Sequence, residues 1–225
     1  LIPPCPPQNL DLDDENDRYT IQLYHHVATQ INLKNLNVLE IGSGRGGGAS
    51  YIARYLKPKK ITGIDLSPTA IEFCNKIYSI ENLNFIQGNA ENLPFKKDKF
   101  DIVINVESSH CYQSMNKFVN EVSRVLKPKG YFLFCDLRRD IYIKELLDQI
   151  NSNGLSILTY ANISDNIISA TEKMSDEREL SINKLNIGLL KNIIKSFAAI
   201  KGSNVHQSFK KGYLQYISAI CKNEK

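Results

Sequence analysis

No apolar run in this chain approaches the roughly 20 residues that a helix needs to span a bilayer, so stable membrane insertion is not expected. No two of the five cysteines (Cys5, Cys74, Cys111, Cys135 and Cys221) stand at C-x-x-C spacing, which leaves a zinc site without its ligands. Their odd number in a long chain fits free thiols in a reducing compartment, the cytoplasm. No histidine and carboxylate set has metal-ligand spacing, so metal-independent chemistry is expected. Positive charge is never concentrated. The net charge of +4 is spread over the chain, and the lysines fall in pairs such as Lys59-Lys60, Lys96-Lys97 and Lys210-Lys211. Without a basic stripe interleaved with aromatics, nucleic acid is not an expected partner. There is no internal repeat, and no linker long enough to divide the chain, so residues 1–225 read as one domain. The chain begins at Leu1 rather than Met, which leaves a removed targeting segment open.

The composition is that of a globular protein. Of 225 residues, 42% are hydrophobic and 23% charged, enough to bury a sizeable core. The opening LIPPCPPQNL is proline-rich and reads as extended. The acidic run DLDDEND then caps a helix over about 18–31, where Ile21, Tyr24, Val27, Ala28 and Ile31 recur at helical spacing. Together, residues 1–32 form an N-terminal covering segment.

From Leu36 the pattern alternates strand and helix. Strands are expected at 37–42, 60–65, 82–88, 100–106 and 130–136. Helices are expected at 46–57, at 67–79 with Ser67 as N-cap and Pro68 in the first turn, at 115–128 stopped by Pro128, and at 141–150. A sixth strand follows at 155–161. Residues 163–200 read as helical and as a cap over the ligand edge, with plain packing helices as the alternative. GYLQYISAICK (212–222) reads as a last strand, with His206 in an exposed loop before it. The fold class is α/β, a mostly parallel sheet with helices on both faces. Right-handed crossovers put the strands' C-terminal ends on one edge, where ligands bind.

The strongest signal is VLEIGSGRGGGAS (38–50), a strand, turn and helix carrying Glu40, Gly42, Ser43, Gly44 and Gly46. Glycines there let the backbone turn sharply and approach a ligand without an intervening side chain. The next helix offers its free N–H groups to a carboxylate or phosphate. Asp65 closes the second strand and can accept from both hydroxyls of a ribose. Gly42, Gly44 and Gly47 also satisfy the dinucleotide fingerprint. Three features argue against a nicotinamide cofactor: the acid Glu40 before the first glycine, the segment GNAENLPF (88–95) after the third strand, and the lack of a second domain for a hydride acceptor.

E-x-G-x-G-x-G, the acid ending strand two, and G-N-A-E-x-L-P-F together resemble the class I S-adenosylmethionine-dependent methyltransferases over about 36–136. VLKPKGYFLFCD resembles the family's later segment. The resemblance implies a Rossmann-like seven-stranded sheet whose last strand is antiparallel. It implies S-adenosyl-L-methionine as cofactor and S-adenosyl-L-homocysteine as product. In that pattern the Gly42–Gly46 loop cradles the methionine part, Asp65 holds the ribose and Leu66 packs on adenine. Asn89, Ala90 and Glu91 lie by the adenine ring, where the family more often has Asp then Ala. Asn105 lies beneath the sulfonium. Glu40 is either a structural acid satisfying loop amides or an anchor for the ammonium, or both.

NVESSHCY (105–112) leaves strand four for the transfer site and resembles methyltransferases of natural-product and lipid hydroxyls, of phthiotriol and glycoside type. A hydroxyl acceptor loses its proton during transfer, so a base in reach contributes on the order of 100- to 10,000-fold. His110 is the expected base, oriented by Glu107 if 107–110 forms a helical turn. The other reading has His110 shaping the pocket or touching the cofactor carboxylate. Cys111 reads as packing, and Tyr112 as lining the acceptor pocket. N- or C-methylation and a cofactor-binding relative without transfer are the rival functions. The nucleic-acid-base enzymes' [N/D]-P-P-[Y/F] segment does not match Asn105-Val106-Glu107-Ser108. A homodimer is compatible with the sequence, which does not identify the small-molecule acceptor.

Overall fold

The structure is a computed structural model that describes residues 10–184 and 201–225, with backbone alone at 176–184. In chain order the elements are α1 (Arg18–Ala28), β1 (Asn37–Ile41), α2 (Gly47–Tyr55), β2 (Lys60–Asp65), α3 (Pro68–Ile77), β3 (Leu83–Gln87) and β4 (Phe100–Val106). They continue as α4 (Met115–Val125), β5 (Leu126–Arg139), α5 (Ile143–Ser152), β6 (Leu155–Asn162), α6 (Ser164–Lys184), α7 (Asn204–Lys210) and β7 (Leu214–Asn223). The strands form one seven-stranded sheet in the order β3-β2-β1-β4-β5-β7-β6, mostly parallel and flanked by helices, with the last strand antiparallel.

β1 pairs in parallel with β2 on one side and with β4 on the other. The order therefore reverses between β1 and β4, and such a switch point opens a crevice beyond the strand ends. The strands around it are continuously apolar because both faces are covered. Leu39, Ile61, Ile102, Val103, Ile104, Phe132 and Phe134 are all 1% exposed or less. Each such burial stabilises by roughly 1.5–3 kcal/mol before entropy is counted.

The described residues gather into two compact units. One holds the residues up to Asp136 with Lys144–Ala161 and Ser218–Lys225; the other holds Leu137–Ile143 and Asn162–Ile217. In the second unit the Phe209 and Tyr216 rings lie 6.1 Å apart, and Ser164 Oγ accepts from the Tyr216 N–H at 2.8 Å. No described helix is long and apolar enough to cross a membrane.

Four expectations need correction. The acidic run forms a 3₁₀ turn, Leu12–Asp17, and its Asp17 makes no side-chain cap. Asp14 instead accepts from Arg54 Nη1 and from the Tyr55 hydroxyl, both at 2.6 Å, tying the segment to α2. The helix expected to stop at Pro128 ends at Val125, and Pro128 lies inside β5. The Asn223 amide explains this: it donates to the carbonyls of Ser123, Leu126 and Lys127, completing a corner that leaves the helix before any proline. His206 is not in an exposed loop. It sits on α7, capped by Ser203, and is 2% exposed, with Nδ1 accepting from the Gly202 N–H and Nε2 3.1 Å from Glu172 Oε1. The expected packing residue Cys111 is exposed. The expected cap begins as α6; its remainder, 185–200, and the opening 1–9 lie outside the described residues.

Candidate cofactor and transfer site

The glycine turn after β1 is built on the end of β2. Gly42 and Ser43 both donate their N–H to the Ile64 carbonyl, at 2.8 and 3.0 Å. Gly42, Gly44 and Gly46 hold φ of +76, +51 and +79°, where a side chain is strained. At Gly46 a Cβ would also stand 2.7 Å from Phe85 Cζ and 2.9 Å from Cys74 Sγ, so the turn rests directly on β3 and α3. At Gly44 and Gly47 a Cβ would meet nothing within 4 Å. The turn thus has a packed underside and a bare upper face.

Glu40 is fully buried two residues before the turn, and neither carboxylate oxygen makes a hydrogen bond. Burial pushes its carboxyl up from 4.5 to about 8. The Tyr24 hydroxyl and the Ala49 N–H offset part of this, though they stand outside hydrogen-bond geometry. The Tyr24 ring itself lies over Gly48, where a Cβ would come within 1.9 Å of it. A buried carboxyl with unused oxygens beneath a glycine turn left open at Gly44 and Gly47 matches a ligand that brings its own ammonium.

Asn105, also fully buried, closes β4. Its amide N–H₂ faces the Ile41 carbonyl at 2.9 Å, Ser108 Oγ at 2.7 Å and the Tyr112 hydroxyl at 3.1 Å, while its Oδ1 is buried with no partner. Ser43 Oγ is likewise buried and unpartnered. The Ser108 and Tyr112 side chains crowd the crevice beside Gly42, within 2.9 Å of where a Cβ would stand.

The adenosine-side residues divide. Asp65 ends β2 and is half-buried. Its Oδ2 accepts from the Gly44 N–H at 2.8 Å and its Oδ1 from the Ser67 N–H at 2.9 Å. Each oxygen has a second lone pair for a hydroxyl donor. Leu66 beside it is 67% exposed, an apolar side chain left uncovered at the crevice edge. Asn89 is exposed and turns its Oδ1 back on the Glu91 N–H; Ala90 between them is half-buried. Glu91 reaches away from the pair, accepting from the N–H groups of Gln113 and Ser114. It therefore ties the loop after β3 to the loop before α4.

The transfer segment differs from expectation in one contact. Residues Ser109–Cys111 form a 3₁₀ turn, and Glu107 precedes it, exposed, at φ +51°. The carboxylate on the imidazole is Asp136, fully buried at the close of the apolar part of β5. Its Oδ1 lies 2.7 Å from His110 Nδ1. Its Oδ2 accepts from Ser109 Oγ at 2.6 Å and from the His110 N–H at 2.9 Å. The sequence signal for Asp136 was an acid ending an apolar strand, as Asp65 does. Among the described residues, no three His, Cys, Asp or Glu side chains gather as a metal-holding group.

A family model described as a methyltransferase domain matches residues 32–212. The chain is 41% identical over 194 residues to the fatty-acid O-methyltransferase of Mycolicibacterium smegmatis, covering 85% of this chain and 71% of that protein. It is 36% identical over 213 residues to the phthiotriol/phenolphthiotriol dimycocerosates methyltransferase of Mycobacterium leprae, covering 94% and 79%. Among solved structures, the geranyl diphosphate C-methyltransferase of Streptomyces coelicolor A3(2) matches with a TM-score of 0.70 at 15% identity, over 96% of this chain and 85% of that one. The [4+2]-cyclase SpnF matches with a TM-score of 0.72 at 17% identity, over 90% and 80%. At such identities the two structures share the fold alone.

Proposed function

The chain belongs to the S-adenosylmethionine-dependent methyltransferases of this domain family, and we propose that it methylates a hydroxyl oxygen of a small, lipid-like acceptor. In this reading Glu40 holds the cofactor's ammonium, and the turn from Gly42 through Ser43 and Gly44 to Gly46 takes its methionine end. Asp65 takes the ribose and Leu66 the adenine face, with Asn89 and Ala90 at its edge. Asn105 floors the reacting centre. The crevice supports this through its unused buried oxygens at Glu40 and Asn105 and its bare glycines. When bound, the cofactor supplies an electrophilic methyl group on sulfur. The chain's residues align the acceptor, exclude water and receive the proton.

One observation carries the choice of oxygen: an imidazole held by a buried carboxylate where β4 meets the crevice. With a hydroxyl acceptor, His110 would receive the proton that the hydroxyl loses on methylation, while Asp136 holds the ring. Amine acceptors bring their own lone pair and need less of a base. The two curated relatives named above are, by name, methyltransferases of a fatty acid and of phthiotriol dimycocerosates. A fatty carboxylate is already an anion, so the two kinds of oxygen acceptor can be separated. His110→Ala should lower turnover of a long-chain alcohol by about 100-fold or more, with little change for a fatty acid and none in S-adenosylhomocysteine affinity. Unchanged alcohol turnover would remove the base. The described cysteines Cys74, Cys111, Cys135 and Cys221 are free, which supports the cytoplasm as its compartment.

A further inference from the structure

Two segments of the second unit meet at its surface and leave apolar side chains in water. The Asp140 N–H donates to the Tyr213 carbonyl at 3.1 Å, which joins the turn after β5 to the turn before β7. Around that joint Ile141 is 62% exposed, Tyr142 48% and Tyr213 61%. A Schellman turn closes α7: Gly212, at φ +75°, donates to the Phe209 carbonyl and Tyr213 to the Ser208 carbonyl, each at 3.0 Å. The Tyr213 backbone is therefore fixed while its ring stays outside. The Arg139 guanidinium lies 5.7 Å from the centre of the Tyr142 ring, a cation set beside an aromatic face. Single exposed apolar residues are ordinary, but three gathered at one joint and rimmed by charge mark an interaction site.

The charge around the joint identifies what covers it. Residues 137–143 and 208–216 carry four cations, Arg138, Arg139, Lys210 and Lys211, and one anion, Asp140. Lys210 Nζ meets Glu172 Oε1 at 2.8 Å, which answers one of the four. A second copy of the chain seated on this face would set the cations against themselves across a two-fold axis. An anionic lipid surface is complementary instead. It takes tyrosine rings at headgroup depth, an isoleucine just beneath them and cations against its phosphates. We infer that this face, residues 138–142 with 210–213, docks the protein on an anionic lipid bilayer. Docking of this kind lies on the surface and needs no spanning helix. It goes beyond the transfer reading and can be measured without a methyl acceptor.

The chain has no tryptophan, so Tyr213→Trp places a single indole at the joint. Its emission should move to shorter wavelength with vesicles of phosphatidylcholine and phosphatidylglycerol in equal parts, and stay unchanged with phosphatidylcholine alone. High salt should weaken the shift, because exposed charges are screened beyond about 10 Å already at roughly 0.1 M.

Co-sedimentation of the full chain with the same mixed vesicles separates the contributions. Each cation near an anionic surface strengthens partitioning by about 5-fold, so Arg139→Gln with Lys211→Gln should lower it by about 10-fold or more. Ile141→Ser with Tyr213→Ser keeps the charge and should also lower it by about 10-fold or more. Lys96→Gln with Lys97→Gln removes the same charge from exposed residues of the first unit, and should change it by less than about 2-fold. All three pairs are exposed, so S-adenosylhomocysteine affinity should stay within about 3-fold. An indole that ignores the mixed vesicles, or responds equally to phosphatidylcholine alone, overturns the inference. So do equal losses in the Lys96/Lys97 and Arg139/Lys211 pairs, which would mean net charge alone. A dimer in sedimentation velocity that Ile141→Ser with Tyr213→Ser dissolves would make the face a self-contact and overturn it too. Docking without any methylated product would uphold this inference and defeat the choice of acceptor, so the two fail separately.

Discussion

Glu40 shows how a single buried group couples pH, stability and ligand. Its carboxyl stands at about 8 in the folded chain against 4.5 when solvated, because burial disfavours the charge. Below about pH 4.5 the group is protonated in both states and costs nothing. As pH rises toward 8 the unfolded chain ionises while the folded one does not, so ligand-free stability falls, by up to roughly 5 kcal/mol for this group. Glu40→Gln should remove that decline, so the gap in Tm between variant and parent widens from about pH 6 to pH 8. Parallel melting curves across that range would contradict the burial argument. An ammonium beside Glu40 favours the ionised form. Binding of S-adenosylhomocysteine near pH 7 should therefore release a proton, seen by calorimetry in buffers of different ionisation enthalpy. The carboxylates that close strands are the least legible feature at this scale. Asp65 was found because glycines pointed to it, while Asp136 was passed over for the nearer Glu107. Sequence distance hid a contact between residues 26 apart that the β4–β5 pairing brings together.

Elements were legible where local chemistry decides them. Ser67 and Pro68 open α3 as expected, with Ser67 Oγ accepting from the Ala70 N–H. Boundaries set by distant groups were not. The end of α4 depends on Asn223, 100 residues from Ser123. Asn223→Ala should take the amide donor from the Leu126 and Lys127 carbonyls, leave Ser123 with Lys225 Nζ alone, and cost about 1–3 kcal/mol in chemical denaturation. A change below about 0.5 kcal/mol would mean water replaces the amide. Gly46 makes the complementary case, since its turn was legible but its neighbours were not. Gly46→Ala combines positive φ with contact on Phe85 and Cys74, and should destabilise by roughly 2–4 kcal/mol in the same measurement. For α7, a Ser203 cap was present in the sequence, but a seven-residue helix is too short for periodicity to reveal.

At the scale of the whole molecule, alternation of apolar strands with helices was enough to expect a mostly parallel sheet, and the crevice follows from the reversal between β1 and β4. Acceptor choice is less legible, because one scaffold serves oxygen, nitrogen and carbon alike. The molecule should gain stability from its cofactor product by mass action: S-adenosylhomocysteine at 100 times its Kd adds about 2.7 kcal/mol, read as a rise in Tm. NADH should add none. The most direct measurement of the central claim is mass detection of products after incubation with S-adenosylmethionine carrying a deuterated methyl group and a panel of long-chain alcohols, fatty acids and amines. The labelled methyl should appear as an ether on an alcohol, and that product should fall away in His110→Ala. Label on nitrogen or carbon alone, or no labelled product from a protein that binds S-adenosylhomocysteine, would contradict it.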